Sequence, residues 1–292
     1  ISSGWGQRMS RRSNSPYFLL TPAMLTTVAT LAICMVVLMV LAVARQSYLD
    51  IDLTFSTHNV ELALTSPLIL KLMVKSALIS FGVTLLSLVL AYPIAYLLAF
   101  DLTRNKLLWL MLFTLPCWIS YLLRVLSWKL ILGYQGMINT SLMGLGIIDQ
   151  PIEALLYNST SVVIALTHAW APFAILPIYV SLEKIDRSLI RASGDLSDTP
   201  MQTFFRVILP LSLPGVTAAF VLVFIPTFGD YVTPHLLGGP TGVMIGNFIA
   251  MQFGASNNWP LGAAVALLAM LVATLLVCIF IAGSRHAIKA IR

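Results

Sequence analysis

The sequence is short of charge. Charged residues make up 10% of the chain, against roughly 25% in an ordinary soluble domain, too few to cover a surface that faces water. A soluble fold is excluded. The three cysteines, Cys34, Cys117 and Cys278, lie in apolar runs without CxxC or histidine spacing, so they offer no metal or redox centre and read as packing residues. Four scattered histidines, His58, His168, His235 and His286, form no cluster with acids, which argues against an integral-membrane enzyme. A GxxxxGK[ST] phosphate loop is missing, and so is any other phosphate-binding loop. Any uphill transport would therefore draw on an ion gradient or on a separate ATPase. The chain is read as no enzyme, with no cofactor and no metal of its own.

What is there is apolar. Hydrophobic residues reach 59% and the mean hydropathy is +0.92. Long, nearly uncharged runs extend from Tyr17 to Ala44, Ile69 to Phe100, Leu107 to Leu132, Ser159 to Leu182, Pro214 to Phe228 and Leu261 to Gly283. With about 20 residues needed per crossing, these predict an all-α integral membrane protein of six transmembrane helices. The third run carries Arg124 and Lys129, and the fifth is short, so its membrane segment starts at Leu209 or breaks at Pro226. The sequence opens on Ile1, so its native start is expected upstream, and the first run is too long for a signal-peptide core.

Six crossings put both termini on one side. Twelve of the seventeen Lys and Arg residues fall on that side: Arg8, Arg11, Arg12, Arg104, Lys106, Lys184, Arg187, Arg191, Arg206, Arg285, Lys289 and Arg292. The positive-inside rule makes it cytoplasmic. The net charge of +6 is thus a signature of the lipid bilayer, and nucleic acid is disfavoured. The expected organisation is a cytoplasmic segment at 1–16, one transmembrane domain at 17–283 and a cytoplasmic tail at 284–292. Between spans four and five lies a polar loop at 183–213. On the external side, 238–253 is too short to span and reads as an amphipathic surface helix, either a gate or a packed lid.

The 183–213 loop alternates polar and apolar residues at helical spacing. Asp198 is a candidate N-cap, with Pro200 in the first turn of a second short helix that ends before Pro210. Two short helices joined by a turn would form a docking surface. Small residues at Ala192 and Ser193 would admit a partner's backbone, while Met201, Phe204 and Phe205 would fill a groove. An ordinary interfacial loop is the alternative.

This loop resembles the coupling motif of permease subunits of type I ABC importers: Glu-Ala-Ala, three residues, Gly, nine residues, Ile-x-Leu-Pro. Ala192 and Ser193 stand at the two alanines, and Val207-Ile-Leu-Pro210 matches the closing element. Arg191 replaces the usual glutamate and Ser197 the usual glycine. Phe228-Gly-Asp-Tyr-Val-Thr-Pro-His-Leu-Leu-Gly-Gly-Pro240, Met244-Ile-Gly-Asn247, Asn258-Trp-Pro-Leu-Gly-Ala-Ala264 and Pro116-Cys-Trp-Ile-Ser-Tyr-Leu-Leu-Arg124 resemble the spermidine/putrescine branch. Permeases for opines, amino-acid derivatives and other small organic solutes carry similar signals.

The resemblance implies a multi-pass subunit of the bacterial inner membrane, paired with a second, homologous permease. It implies two copies of an ABC ATPase, which bind ATP and Mg, and a periplasmic solute-binding protein. Its coupling residues would be Arg191, Ala192, Ser193, Leu196, Ser197, Met201, Phe204, Phe205 and Pro210. An ion-coupled secondary transporter, the other class of carrier, should show inverted repeats and midmembrane acids, and neither is evident.

For the passage, Trp118, Tyr121, Arg124 and Trp128 recur at three- and four-residue spacing, placing aromatic and basic groups on one helical face. That face lines the passage or meets the second permease, or else it sits in the outer aromatic belt. Asp230, flanked by Phe228 and Tyr231, offers the carboxylate and aromatic faces that a polyamine's ammonium groups need. Its alternatives are a pair with Arg124 or a cap on a helix from Thr241.

Overall fold

The computed structural model describes residues 15–47, 50–52, 54–102 and 104–291, with side chains from 21–46, 52, 54–102 and 104–286. Arg8, Arg11 and Arg12, and all but the end of the expected 1–16 segment, lie outside the described residues, as does Arg292. Five helices among those described are long and apolar enough to cross a membrane: Thr21–Ala42, Pro67–Asp101, Ser159–Glu183, Pro200–Phe228 and Trp259–His286. The sixth crossing is a bent pair, Lys106–Trp118 followed by Tyr121–Gly144, with 81° between its parts. This corrects the expectation of a continuous span from Leu107 to Leu132. The helix narrows to a 3-10 turn at Leu115–Trp118, where Pro116 has no N–H to give, and Ile119 and Ser120 then run extended. Trp118 is thereby cut off from the face that carries Tyr121, Arg124 and Trp128.

In chain order the helices are α1 (Ser15–Ala42), α2 (His58–Thr65), α3 (Pro67–Tyr96), α4 (Lys106–Thr114), α5 (Tyr121–Leu132), α6 (Met137–Gly144) and α7 (Ser159–Glu183). After them come α8 (Arg187–Asp195), α9 (Pro200–Thr203), α10 (Leu209–Phe228), α11 (Val232–Leu237), α12 (Ile245–Phe253) and α13 (Trp259–Ile291). A two-stranded hairpin, Arg45–Ser47 with Asp50–Asp52, follows α1. Two π turns, Leu97–Asp101 after α3 and Phe204–Ile208 before α10, extend those spans at the elbow end. The final helix runs on to Ile291, so it continues through 284–291.

The core is α7 packed between α3 and α10. Lipid tails are as apolar as leucine, so helices in a bilayer associate where small residues let backbones approach. On α3 a stripe of Ser76, Ser80, Thr84, Ser87, Ala91 and Ala95 is fully buried. The Ser87 hydroxyl reaches the Thr167 carbonyl of α7 at 3.5 Å. On α10, Gly215 sits so close to Ser181 and the Pro177 carbonyl that any side chain there would collide. A second cluster forms where α10 meets α13 through stacked rings, with Phe220 and Phe280 centroids 3.6 Å apart.

At the end away from the elbow, the 238–244 turn is pinned to two spans. Thr241's carbonyl accepts from Lys75 Nζ at 2.5 Å and from Ser159 Oγ at 2.6 Å. The Ile245 N–H donates to buried Ser76 Oγ at 2.7 Å, which fixes the start of α12. Replacing Gly215 with alanine should push α7 and α10 apart and cost about 1 to 3 kcal/mol of stability. A lowered melting temperature of the detergent-solubilised protein checks this; an unchanged melt contradicts the close contact.

Candidate functional site

The elbow between α7 and α10 is held by its own side chains. Asp186 caps α8 by accepting from the Ser188 N–H at 2.9 Å, and that bond holds its carboxyl below the ordinary carboxylate range. At the other end, the Ser197 N–H donates to Gly194 and the Asp198 N–H to the Ser193 carbonyl, with Ser197 in the left-handed region at φ 65°. This is the helix stop that normally uses glycine. Thr199, rather than Asp198, caps α9, because it exchanges bonds with Gln202: N–H to Oε1 at 2.7 Å and N–H to Oγ1 at 3.3 Å. Asp198 instead accepts from Ser193 Oγ and from Arg206 Nη1, each at 2.8 Å.

The second short helix does not stop before Pro210. It passes through the π turn, where the Leu209 N–H reaches back to Phe204, and continues into α10. Pro210 has no N–H and crowds the turn before it, which the widened coil accommodates.

The structure divides the expected coupling residues into two groups. Arg191, Ala192, Ser197, Leu196, Met201 and Phe205 are exposed, Leu196 at 81% and Met201 at 67%. Ser193 is turned inward, where it also meets Thr203 Oγ1 at 3.0 Å, so it locks α8 to α9. Phe204 packs edge-on against Tyr92 of α3, centroids 5.6 Å apart, and Pro210 is half-buried. The elbow therefore presents an exposed apolar patch on a braced frame.

At the opposite end of α10, Asp230 is 8% exposed. It accepts from the Tyr121 hydroxyl at 2.7 Å and from the Val232 and Thr233 N–H groups at 3.1 and 3.3 Å. It thus tops α11 rather than a helix from Thr241, and it makes no ion pair with Arg124. Among the described residues the ion pairs are Lys106–Glu183 and Arg206–Asp198. Arg124, equally buried, donates to the Ala169 carbonyl at 2.8 Å and lies 5.9 Å from the Tyr121 ring centre. Its Nε is buried without a partner. Tyr121 stands between the two charges, its ring toward the guanidinium and its hydroxyl on the carboxylate. Trp128 packs on His168, 5.4 Å between centroids, whereas Trp118 is 87% exposed beyond the break. Tyr231 is exposed and lines a groove of about 580 Å³ with His235, Asn247, Phe248 and Met251.

Comparison with known proteins places this arrangement. Residues 60–289 match the family model described as "Binding-protein-dependent transport system inner membrane component". The chain belongs to that family. The permease is 36% identical over 222 residues to the spermidine/putrescine transport system permease protein PotB of Escherichia coli (strain K12), covering 76% of this chain and 80% of that one. It is 32% identical to the inner membrane ABC transporter permease protein YdcU of the same strain, covering 73% and 71%. In fold it is similar to a chain of the bacterial ABC transporter involved in import of the acidic polysaccharide alginate, with TM-score 0.68, 17% identity and coverage of 92% and 94%. It is also similar in fold to a chain of the MetNI methionine ABC transporter, with TM-score 0.53, 18% identity and coverage of 78% and 100%. The permease is a multi-pass membrane protein of the type I importer fold.

Sequence reasoning gave no structural role to three residues, although Asn139 and the Met244–Asn247 segment that holds Gly246 both belong to the resemblance. Asn139 is fully buried and staples the loop after α6, donating to Gly133 and Ile152 and accepting from the Ile152 N–H at 2.9 Å. Thr203 completes the elbow lock. Gly246 packs on the Gly229 and Asp230 carbonyls, leaving no room for a side chain.

Ser197 supplies a test of the elbow turn. A non-glycine residue in the left-handed region carries roughly 1 to 2 kcal/mol of strain, so Ser197→Gly should stabilise the elbow. Slower proteolysis of the 183–213 loop checks it; faster cleavage contradicts the assigned turn.

Proposed function

We propose that this permease forms half of the passage for a small organic cation of the polyamine class and is driven by a separate ATPase seated on the 183–213 elbow. The observation that carries the substrate reading is Asp230: a buried carboxylate held by three neutral donors and no cation. A charge withdrawn from water without a counter-ion is costly unless something neutralises it. The carbonyl end of α10 adds its own negative pole there. An ammonium group entering beside Tyr231 would find carboxylate, helix end and aromatic face together. The relatives named as spermidine/putrescine permeases support the same class.

The elbow supports the second half of the proposal. Leu196, Met201 and Phe205 are exposed on a frame braced by Asp198, which is what a docking surface for a soluble subunit requires. With the elbow in the cytoplasm, both termini are cytoplasmic and Asp230 faces the periplasm, where a solute-binding protein would deliver its cargo. The complete importer then holds a second homologous permease and two ATPase copies, and ATP and Mg are bound by the ATPases alone. The binding energy of ATP moves the elbows and opens the passage to each side in turn, without bond chemistry in this chain.

A second reading rests on Arg124, whose buried guanidinium has no carboxylate partner. It fits a solute that carries a carboxylate as well as an amine, such as an opine or an amino-acid derivative. Asp230→Asn should lower putrescine uptake by roughly tenfold, the effect of losing about 1.4 kcal/mol of binding, with resting ATPase activity retained. Uptake at the parent rate removes Asp230 from the passage. If Arg124→Gln abolishes uptake while Asp230→Asn does not, the amphoteric solute is the correct reading.

Leu196→Glu together with Met201→Glu should leave the permease in the membrane and release the ATPase on affinity purification. Retained ATPase contradicts the docking surface.

A further inference from the structure

The carbonyl of Ala99 is in the π turn that ends span two, among the final carbonyls of a helix, which have no following N–H to pair with. Ala99 is buried at 3% exposure, so bulk water cannot serve that oxygen. Two cations from two other elements reach it. Arg187 Nη2, on the first residue of α8, donates at 3.2 Å, and Lys106 Nζ, on the first residue of α4, donates at 3.3 Å. Lys106 also pairs with Glu183 Oε1 at 3.5 Å, on the last residue of α7. One oxygen thus joins the ends of α3, α4, α7 and α8. The junction uses both remedies for an exposed helix C-terminus, a hydrogen-bond donor and a positive charge facing the negative pole.

Geometry separates this junction from the docking surface. Arg187 sits at the start of α8, whereas the exposed apolar residues Leu196 and Met201 lie beyond its end. The far end of the elbow is braced independently through Ser193, Asp198, Thr203 and Arg206. The elbow is consequently one stiff piece, tied to span two at one end and continuous with α10 through the second π turn at the other. Motion imposed on it is passed to α3, and through Lys106 to α4, the first half of the broken crossing that leads to Tyr121.

We infer that Arg187 is a positioning residue for transport, which by holding the Ala99 carbonyl together with Lys106 fixes the coupling helix to span two and passes the ATPase stroke into the membrane. The inference rests on the elbow's proposed role as the ATPase handle.

The test uses the whole transporter, reconstituted with its ATPase, second permease and binding protein, and measures putrescine moved per ATP hydrolysed. Arg187→Ala should keep the ATPase bound and basal hydrolysis running, and should lower the ratio by about fivefold or more, the lower end of ordinary coupling energies. Arg187→Lys, which still offers a cation to the carbonyl, should recover most of the loss. Lys106→Gln, which leaves α8 unaltered, should lower the ratio in the same direction and serves if Arg187→Ala does not assemble. A parent-like ratio in Arg187→Ala, or in Lys106→Gln when only that variant assembles, overturns the inference. So does failure of Arg187→Lys to recover the ratio. If the unmutated assembly itself holds no ATPase, the elbow reading fails instead.

Discussion

In a bilayer, a helix can stop only where the protein itself receives the backbone groups set free. Most of the distinctive geometry of this permease follows from that constraint. At the elbow end of span two, Ala99 gives its carbonyl to Arg187 and Lys106. Outside the spans, the end of α8 is closed in the same way, with Ser197 left-handed so that two N–H groups bond back to the helix. At the far end of α10, Asp230 receives the N–H groups that begin α11. Each interruption becomes a fixed point, and the two candidate functional regions are built on such points. The elbow grows from the ends of α7 and α10, and the Asp230 turn from the other end of α10.

The two regions differ in what they leave uncompensated. The elbow braces Ser193, Asp198, Thr203 and Arg206 on one another and exposes Leu196, Met201 and Phe205, the combination suited to a protein partner. The Asp230 region buries polar groups and leaves charges without counter-ions, the combination suited to a charged solute that comes and goes. Tyr121 separates Arg124 from Asp230, and a direct ion pair would have cancelled the field that a cation needs. The span that carries Tyr121 is the broken one, so the same interruption that exposes Trp118 also brings the phenol to the carboxylate.

Long apolar runs made five spans readable, four of them with bounds off by only a few residues and the fifth starting at Pro200 instead of Pro214, because hydropathy over some 20 residues is a signal that packing does not alter. The elbow was readable from its motif and from Pro200. The break at Ile119 and Ser120 was not, since a proline and a serine in an apolar run also occur in unbroken membrane helices. Helical spacing placed Ser193 and Met201 on defined faces but could not say which face meets α9 and which meets solvent. Asp198 was legible as a capping residue, yet Thr199 won the position because Gln202 reciprocates its bond. The small-residue stripe of α3 has no meaning until α7 is laid against it. Asp230 was legible as a lone carboxylate, and its hydrogen-bond partners, Tyr121 above all, come from tertiary structure.

The central claim is that an external motor grips the elbow, and accessibility of one side chain tests it most directly. With Cys34, Cys117 and Cys278 replaced, Leu196→Cys can be labelled with a membrane-impermeant maleimide in inside-out vesicles, with and without the cognate ATPase. The account predicts rapid labelling of the permease alone and strong protection once the ATPase is present. Equal labelling in both preparations, with the ATPase confirmed on the membrane, would contradict it.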